Sequence, residues 1–539
     1  MSIPEIRGHA AIAQALADHG VTTMFGVVGE GNIHVIAELA DSHAVRYVKA
    51  AREDGAVLMA GGYASVTGEV GFATVTHGPG LTNTITALTH LARASLPIVL
   101  FAGDTEAAVP FGRQRIDQGA LIAPTGAGFH PLHGTDDVAR AIGRARVERR
   151  PIVLNAPVDV QKAAPYLPSA RTTMAGPQAV SPDTDALDLA AGAIAASRRP
   201  VIVAGRGAVL ADARKSLLTL ADRIGAPVAT TLRAKDFFRG EPFDLGICGT
   251  LSHGVAVETL LAADCVIVFG ASLNSDTTAH GSLMEGKRIV HIDVDATRLG
   301  QRTDVTVAVQ ADAHRAAATL VEWFDELDTR RDGGLCTEEL RNRLARWDPR
   351  DDWAPHTGAA VDGRELTLLL DQAFPRDRTY VSDSGRFMLP GYAWLHVPEP
   401  TAFVETVDFG SIGLGLATAV GAALGRPDRP VLCTVGDGGL TMELAELLTA
   451  VQYRLDLTVV VFNDSAYGAE VAITDRIGKS HELPLLGDVD FAAIARQMGA
   501  DGLTVTRPAD LPSIAGAIRD RRGPLLIDVR TDSRTPIPH

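Results

Sequence analysis

Cysteine is scarce in this chain: four in 539 residues, Cys248, Cys265, Cys336 and Cys433, with no Cys-x-x-Cys spacing among them. Cys265 and Cys433 lie in apolar runs, so reduced core thiols of a cytosolic protein are expected. Runs of Lys or Arg are missing too, and the formal net charge is −15. A chain so acidic has no electrostatic footprint for nucleic acid or an anionic membrane. No apolar stretch reaches the ~20 residues that a membrane-spanning helix needs. The opening MSIPEIRGHAAIAQALADHG reads as an amphipathic helix without the apolar region of a signal peptide. No internal repeat is evident. Aromatic residues are only 5% of the chain against 46% hydrophobic overall, so its cores must be built from Ala, Val and Leu, as in an α/β enzyme. A soluble, cytoplasmic enzyme is expected, with about three domains at ~150 residues each.

What the chain does have is concentrated in 431–468. Val431–Val435 is a short apolar run that stops at Gly436-Asp437-Gly438-Gly439. Those glycines permit a sharp turn and close approach of a ligand. From Leu440 to Val451 the residues Leu444, Leu447, Leu448 and Val451 recur at helical spacing, with Glu443 and Glu446 between them. A second apolar strand, Leu457–Phe462, ends at Asn463-Asp464. Successive parallel strands bring their C-terminal ends together, and ligands bind in the crevice there. Asp437 and Asn463 each stand just past such an end, so their side-chain oxygens are expected to converge. One carboxylate, one amide oxygen and one backbone carbonyl suit a hard cation, Mg²⁺ or Ca²⁺, with positions left for phosphate oxygens. Amides of the turn and of the following helix would hold an anion. The residues alone lead to the expectation of a metal-bridged diphosphate.

Gly-Asp-Gly followed by a helix, an apolar strand and Asn resembles the fingerprint of thiamin-diphosphate (ThDP) enzymes. The resemblance implies that Asp437, Asn463 and the backbone carbonyl of Ser465 carry Mg²⁺, and that Gly436, Gly438, Gly439, Tyr467 and Gly468 line the cofactor. The family often has a second Asn where this chain has Asp464. Asp408-Phe409-Gly410-Ser411-Ile412-Gly413-Leu414-Gly415 resembles the segment that wedges the cofactor into its bent shape. Ile412 would be the wedge, with Gly410 and Ser384 as further cofactor contacts.

Regular strand–helix alternation predicts an α/β fold of three doubly wound parallel-sheet domains. They are expected at 1–165, 185–327 and 359–539, joined by a Pro/Ser/Thr-rich tract at Tyr166–Asp183 and a charged one at Asp328–Gly358. In the first domain, Arg52-Glu53-x-x-Ala56, Gly62-Tyr63-Ala64 and Gly78-Pro79-Gly80-x-Thr82-Asn83 resemble the pyrimidine-binding domain of ThDP enzymes. Taken alone, Glu53 is a carboxylate favoured at a helix start by the macrodipole. The resemblance implies that it hydrogen-bonds the aminopyrimidine and promotes loss of the thiazolium C2 proton. The second domain resembles the family's central domain, which binds FAD in acetolactate synthases and ADP or nothing in other members. Ala271-Ser272-Leu273-Asn274-Ser275-Asp276 stands where acetolactate synthases carry an arginine-containing segment, which counts against FAD while leaving it open. The third resembles the diphosphate-binding domain. The family places the cofactor between the first domain of one subunit and the last of another, implying a homodimer at least and usually a homotetramer.

Two further acids bear on the reaction. Glu30, in Gly26-Val27-Val28-Gly29-Glu30-Gly31-Asn32, resembles the acidic proton relay in the loop of pyruvate and indolepyruvate decarboxylases. Glu470 follows Asn463 at the offset of their second catalytic glutamate. The paired histidines of those decarboxylases are missing from the equivalent stretch Asp104–Gln118, and His77 and His280 are the candidate replacements. The Phe-Gln pair of acetolactate synthases reads Ile116-Asp117, and their acceptor-selecting Trp is absent from Ala469-Glu470-Val471-Ala472-Ile473. The expected function is a ThDP- and Mg²⁺-dependent non-oxidative decarboxylase or carboligase of a small 2-oxo acid, acetolactate-synthase-like. Three alternatives stay open: acetolactate synthase proper, a 2-hydroxyacyl or benzoin-type lyase, and a non-catalytic ThDP-binding regulator. Glu53 favours an enzyme, because a protein that only binds has no need of the activating acid.

Overall fold

The structure is a computed structural model in which residues 6–109, 111–164, 179–327, 334–353, 356, 358–480 and 482–532 are described. Most of the first expected linker, 166–178, lies outside the described residues, as do 328–333, 354, 355 and 357 of the second.

Three six-stranded parallel sheets follow one another along the chain, flanked by helices. The first comprises β1 Thr23–Gly26, β2 Arg46–Lys49, β3 Gly71–Val75, β4 Ile98–Asp104, β5 Gly128–Pro131 and β6 Ile152–Pro157. Its spatial order is β2-β1-β3-β4-β6-β5. The second comprises β7 Pro200–Ala204, β8 Val228–Thr230, β9 Asp244–Ile247, β10 Cys265–Phe269, β11 Arg288–Asp293 and β12 Val307–Gln310, in the order β12-β11-β10-β7-β8-β9. The third comprises β13 Thr379–Ser382, β14 Phe403–Glu405, β15 Val431–Gly436, β16 Leu457–Asn463, β17 Asp501–Val505 and β18 Leu525–Arg530. Its order, β14-β13-β15-β16-β18-β17, repeats that of the first sheet strand for strand. Central strands such as β3, β10 and β16 are apolar along their length and buried at every residue, as strands covered on both faces must be.

The described residues divide into two compact units, one drawn from 1–177, 358–388 and 404–535, the other from 178–357 and 389–403. In the first unit the outer sheets share one apolar core, in which Val57, Met59 and Leu81 join Leu416, Val420 and Leu447. Its centre is the packing of helix Glu53–Thr67 on helix Gly415–Gly425. A Cβ on Gly62 would lie 2.1 Å from the Thr418 carbonyl oxygen, and one on Gly421 would lie 1.9 Å from that of Met59. Backbone stands against backbone, and only glycine fits. Gly421→Ala is therefore expected to force the helices apart and to destabilise the protein by about 1–3 kcal/mol, as overpacking does. Denaturant unfolding checks this, and an unchanged midpoint would contradict the close crossing.

In the second unit, helices Thr184–Ala195, Arg214–Ile224 and Ala313–Glu326 contribute to one apolar cluster with the middle sheet. Segment 389–403 belongs here because Asp236 accepts His396 Nδ1–H at 3.0 Å and the Val397 N–H at 2.8 Å.

Some local expectations change. The single helix expected from Leu440 to Val451 is two, Asp437–Glu443 and Glu446–Gln452. Glu443 ends the first and Glu446 opens the second, and each accepts backbone amides of other elements. The second linker contains a helix, Glu338–Arg346, capped by the Thr337 side chain and carrying acids in its first turn and arginines in its last.

Candidate active site

In the third sheet the chain leaves β13 toward β14 on one side and returns with β15 on the other. A crevice opens beyond the carboxyl ends of strands at such a reversal. Asp383 and Ser384 follow β13, Gly436–Gly439 end β15 and open the next helix, and Asn463–Ser465 end β16. Asp437 is buried, and burial is the main reason its pKa rises to about 6. Burial and the charge of Asp437 push Asp464 up to about 7, with Arg386 offsetting part of the rise. The Ala466 N–H donates to Asp464 Oδ1 at 3.2 Å and also favours the charged form of Asp437, so the two acids converge on one point.

Asn463 is oriented from behind. Its Nδ2 donates to Asp528 Oδ1 at 2.9 Å and to the Val489 carbonyl at 3.2 Å. Oδ1 is thereby left facing the Ser465 N–H at 3.2 Å. Asp528, fully buried in β18, is itself held by the Phe491 N–H at 3.0 Å. Ser465 has φ 53°, a left-handed conformation unusual outside glycine. Its carbonyl accepts the Leu486 N–H at 2.7 Å and keeps its second lone pair. Among the described residues no group of three or more His, Cys, Asp and Glu side chains could hold a metal. A cation here would depend on amide and carbonyl oxygens beside Asp437, with the nearby Asp464 adding negative charge. Two buried acids, one raised further by the charge of the other, fit a divalent cation.

A pH effect follows with a definite sign. Without a cation both acids hold protons above the ordinary carboxylate range, so between about pH 4 and 7 the folded chain binds more protons than the unfolded one. Their contribution is present below pH 4 and is lost as pH rises through about 6 to 7. The cation-free protein should therefore lose stability over that range, and a bound divalent cation should flatten the slope. Denaturant unfolding at pH 5 and pH 7.5, with and without the cation, checks it.

The turn beside the acids is tight. A Cβ on Gly438 would lie 2.6 Å from the Tyr467 ring, and one on Gly439 would lie 2.3 Å from Asp383 Oδ2. Gly468 meets Asp464 Oδ2 in the same way, at 2.5 Å. The 408–415 segment runs through a turn at Gly410, φ 72°, to the half-buried Ile412. Behind it, Asp383 accepts the N–H groups of Gly413 (2.9 Å) and Leu414 (3.2 Å), and Glu443 accepts those of Leu416 (2.6 Å) and Ala417 (3.0 Å). Helix Gly415–Gly425 has no side-chain cap of its own, so two buried carboxylates from other elements satisfy its first turn. Burial raises the pKa of both, and the charge of Asp383 raises that of Glu443 further. Neither acid, nor Asp528, was a site expectation. For Asp383 and Asp528 the available signal was a carboxylate placed at or inside an apolar strand.

The first sheet has the same reversal between β1 and β3. The 27–32 loop follows β1 and Thr76-His77 follows β3. The Gly31 N–H donates to Thr76 Oγ1 at 3.1 Å, and a Cβ on Gly31 would lie 2.5 Å from His77 Nδ1. The loop of Glu30 thus rests on His77, whose buried Nδ1 has no hydrogen-bond partner among the described residues. Asn32 locks that loop, accepting the Gly29 N–H at 2.8 Å and donating to the Val27 carbonyl and Thr74 Oγ1. Glu30 itself is exposed. Glu53 is half-buried at the first position of its helix, with Oε2 accepting Asn83 Nδ2–H at 2.9 Å. Glu470 is exposed in the first turn of helix Gly468–Arg476. His280 belongs to the second unit, where it is exposed and its Nδ1 pairs with Ser275 Oγ at 2.7 Å.

Comparison with known proteins matches three family models in succession. Residues 6–118 match "Thiamine pyrophosphate enzyme, N-terminal TPP binding domain", 187–320 match the central domain, and 383–529 match the C-terminal TPP binding domain. The chain is 30% identical over 545 residues to the "Probable 2-ketoarginine decarboxylase AruI" of Pseudomonas aeruginosa, covering 96% of this chain and 93% of that protein. It is 28% identical over 550 residues to the sulfoacetaldehyde acetyltransferase of Castellaniella defragrans, covering 96% and 91%. It is 28% identical over 549 residues to the acetolactate synthase large subunit of Parasynechococcus marenigrum, covering 97% and 87%.

Proposed function

We propose, for a chain that belongs to the thiamine pyrophosphate enzyme family, a ThDP- and Mg²⁺-dependent enzyme that cleaves a small 2-oxo acid without net oxidation. The remaining acyl carbon is handed to a proton or to a second carbonyl compound. The observation that carries this reading is Glu53, a carboxylate held at a helix start by Asn83 and left half-open. ThDP, when bound, supplies the electron sink for the departing carboxylate. Asp437, Asn463 Oδ1 and the Ser465 carbonyl would hold Mg²⁺. Gly436, Gly438 and Gly439 with Tyr467 and Gly468 would line the diphosphate, and Ser384, Gly410 and Ile412 the rest of the cofactor. His77 Nδ1, unpartnered among the described residues, is the group we assign to exchange a proton with substrate, with Glu30 in the loop against it and Glu470 as a further acid.

The same reading takes 1–165, 185–327 and 359–539 as the functional domains of a cytoplasmic homodimer or homotetramer. The test is turnover of pyruvate, benzoylformate and longer 2-oxo acids, 2-ketoarginine among them, with ThDP and Mg²⁺, following CO₂ and products. Aldehyde alone makes the enzyme a decarboxylase, and a hydroxyketone makes it a carboligase. Sulfoacetaldehyde joins the panel because two relatives are named for its acetyltransferase reaction. Silence on every 2-oxo acid rejects the reading, and turnover of sulfoacetaldehyde alone replaces it.

A further inference from the structure

The segment that delivers Glu53 to its helix is held by one face of a helix from the other end of the chain. Glu446, Thr449 and Tyr453 stand at spacings of three and four along helix Glu446–Gln452 and its C-terminal cap, and so share a face. The Tyr453 hydroxyl accepts the Lys49 N–H at 3.0 Å and donates to the Tyr47 carbonyl at 3.2 Å. Thr449 Oγ1 lies 3.3 Å from the Lys49 carbonyl and 2.9 Å from Glu446 Oε2. Arg46 stacks over the Tyr453 ring at 5.2 Å. The carboxylate of Glu446 accepts the Ala51 N–H at 3.1 and 3.2 Å and the Arg52 N–H at 3.0 Å.

Ala51 and Arg52 are the two residues immediately before Glu53, and their helix has no side-chain cap at Arg52. Glu446 is 1% exposed and seated so closely that a Cβ on Gly55 would lie 2.0 Å from its Oε1. The first turn of the Glu53 helix thus rests on a buried carboxylate, and a carboxylate there is also favoured by the positive end of the helix dipole. Glu446 opens the helix that follows Asp437–Glu443 after only Leu444 and Ala445. One continuous run therefore carries Asp437 at one end and the support of Glu53 at the other.

We propose that Glu446 is a positioning residue for Glu53: its carboxylate fixes the 51–55 backbone, sets the direction of the Glu53 side chain, and ties that acid mechanically to the Asp437 turn of the same chain. This rests on the reading of Glu53 as the cofactor-activating acid. Within the family arrangement of one subunit's first domain facing another's last, Glu53 and Asp437 of one chain serve different cofactors. Glu446 then links two active sites through a single chain.

The test uses full-length Glu446→Gln, Thr449→Val, Thr449→Ser and Glu53→Gln. In the cofactor-free protein, amide hydrogen exchange is measured on peptides spanning 49–55. Glu446→Gln, which replaces one acceptor oxygen with a donor, should speed exchange there by about tenfold or more. In the holoenzyme, the C2-proton exchange of bound ThDP is followed at saturating cofactor. A displaced acid should slow it about 10- to 100-fold, while ThDP affinity changes little. If Glu446→Gln does not fold, Thr449→Val leaves the carboxylate in place and loses the hydrogen bond onto Oε2 together with the longer one to the Lys49 carbonyl. It should show both effects more weakly, with Thr449→Ser restoring them. Slow C2 exchange in Glu53→Gln together with normal rates in the Glu446 and Thr449 variants overturns the positioning role and leaves the Glu53 reading standing. Normal exchange in Glu53→Gln overturns both.

Discussion

Glu53→Gln is expected to retain the fold and bind ThDP while losing about 10²–10⁴ in kcat, the usual contribution of a positioned acid–base group. In the protein the carboxylate takes one hydrogen bond, from Asn83 Nδ2 to Oε2, and is half-open to solvent. Glutamine keeps an acceptor oxygen for Asn83 and nearly the same shape, so stability should change by less than about 1 kcal/mol. What it removes is the exchangeable proton. Steady-state turnover on the best 2-oxo acid, beside calorimetric titration with ThDP, separates the two. A variant still within about threefold of the parent kcat would remove Glu53 from the chemistry. Asn83→Ala should fall between them, because it frees the carboxylate without abolishing it.

The second large effect belongs to Asp437→Asn. Asp437 and Asp464 converge on the Ala466 amide; burial lifts both above the normal carboxylate range, and the charge of Asp437 lifts Asp464 further. Asparagine relieves that repulsion, so the cation-free variant should be at least as stable as the parent at pH 7.5 and should lose part of its pH slope. It also removes the charge that would attract Mg²⁺. Outer-shell changes alone typically lower metal affinity about 10–100-fold, and loss of a direct ligand should exceed that. Asp528→Asn is the matched outer-shell change: it leaves all three expected ligands in place but weakens the hold on Asn463 Nδ2. Calorimetric titration with Mg²⁺ at fixed ThDP should rank parent, Asp528→Asn and Asp437→Asn in falling affinity. Unchanged affinity in Asp437→Asn would refute the metal assignment.

Much of this was readable without coordinates because it is local in the chain. β15, its glycine turn and β16 announce themselves as apolar runs with punctuation, and alternation of strand and helix predicts three parallel sheets. The Gly-Asp-Gly and Asn pattern carries its chemistry in residue types at set spacings. Helix continuity was less readable: the pattern over Leu440–Val451 fits one helix, yet one helix ends at Glu443 and a second begins at Glu446. Asp464 could be read only as a substitute for an expected Asn, whereas folding sets it against Asp437.

The sequence by itself determined the sheet architecture and the family, and it supplied the acids and amide proposed for the site. Tertiary structure decided which buried acids hold those groups in place. Asp383 and Glu443 cap the helix after Ile412, Asp528 turns Asn463, and Glu446 holds the Ala51-Arg52 backbone just before Glu53 from the far end of the chain. The reason is physical. All four of these carboxylates bond to backbone N–H groups of elements remote in sequence, and a backbone N–H has no side-chain identity for a sequence pattern to record.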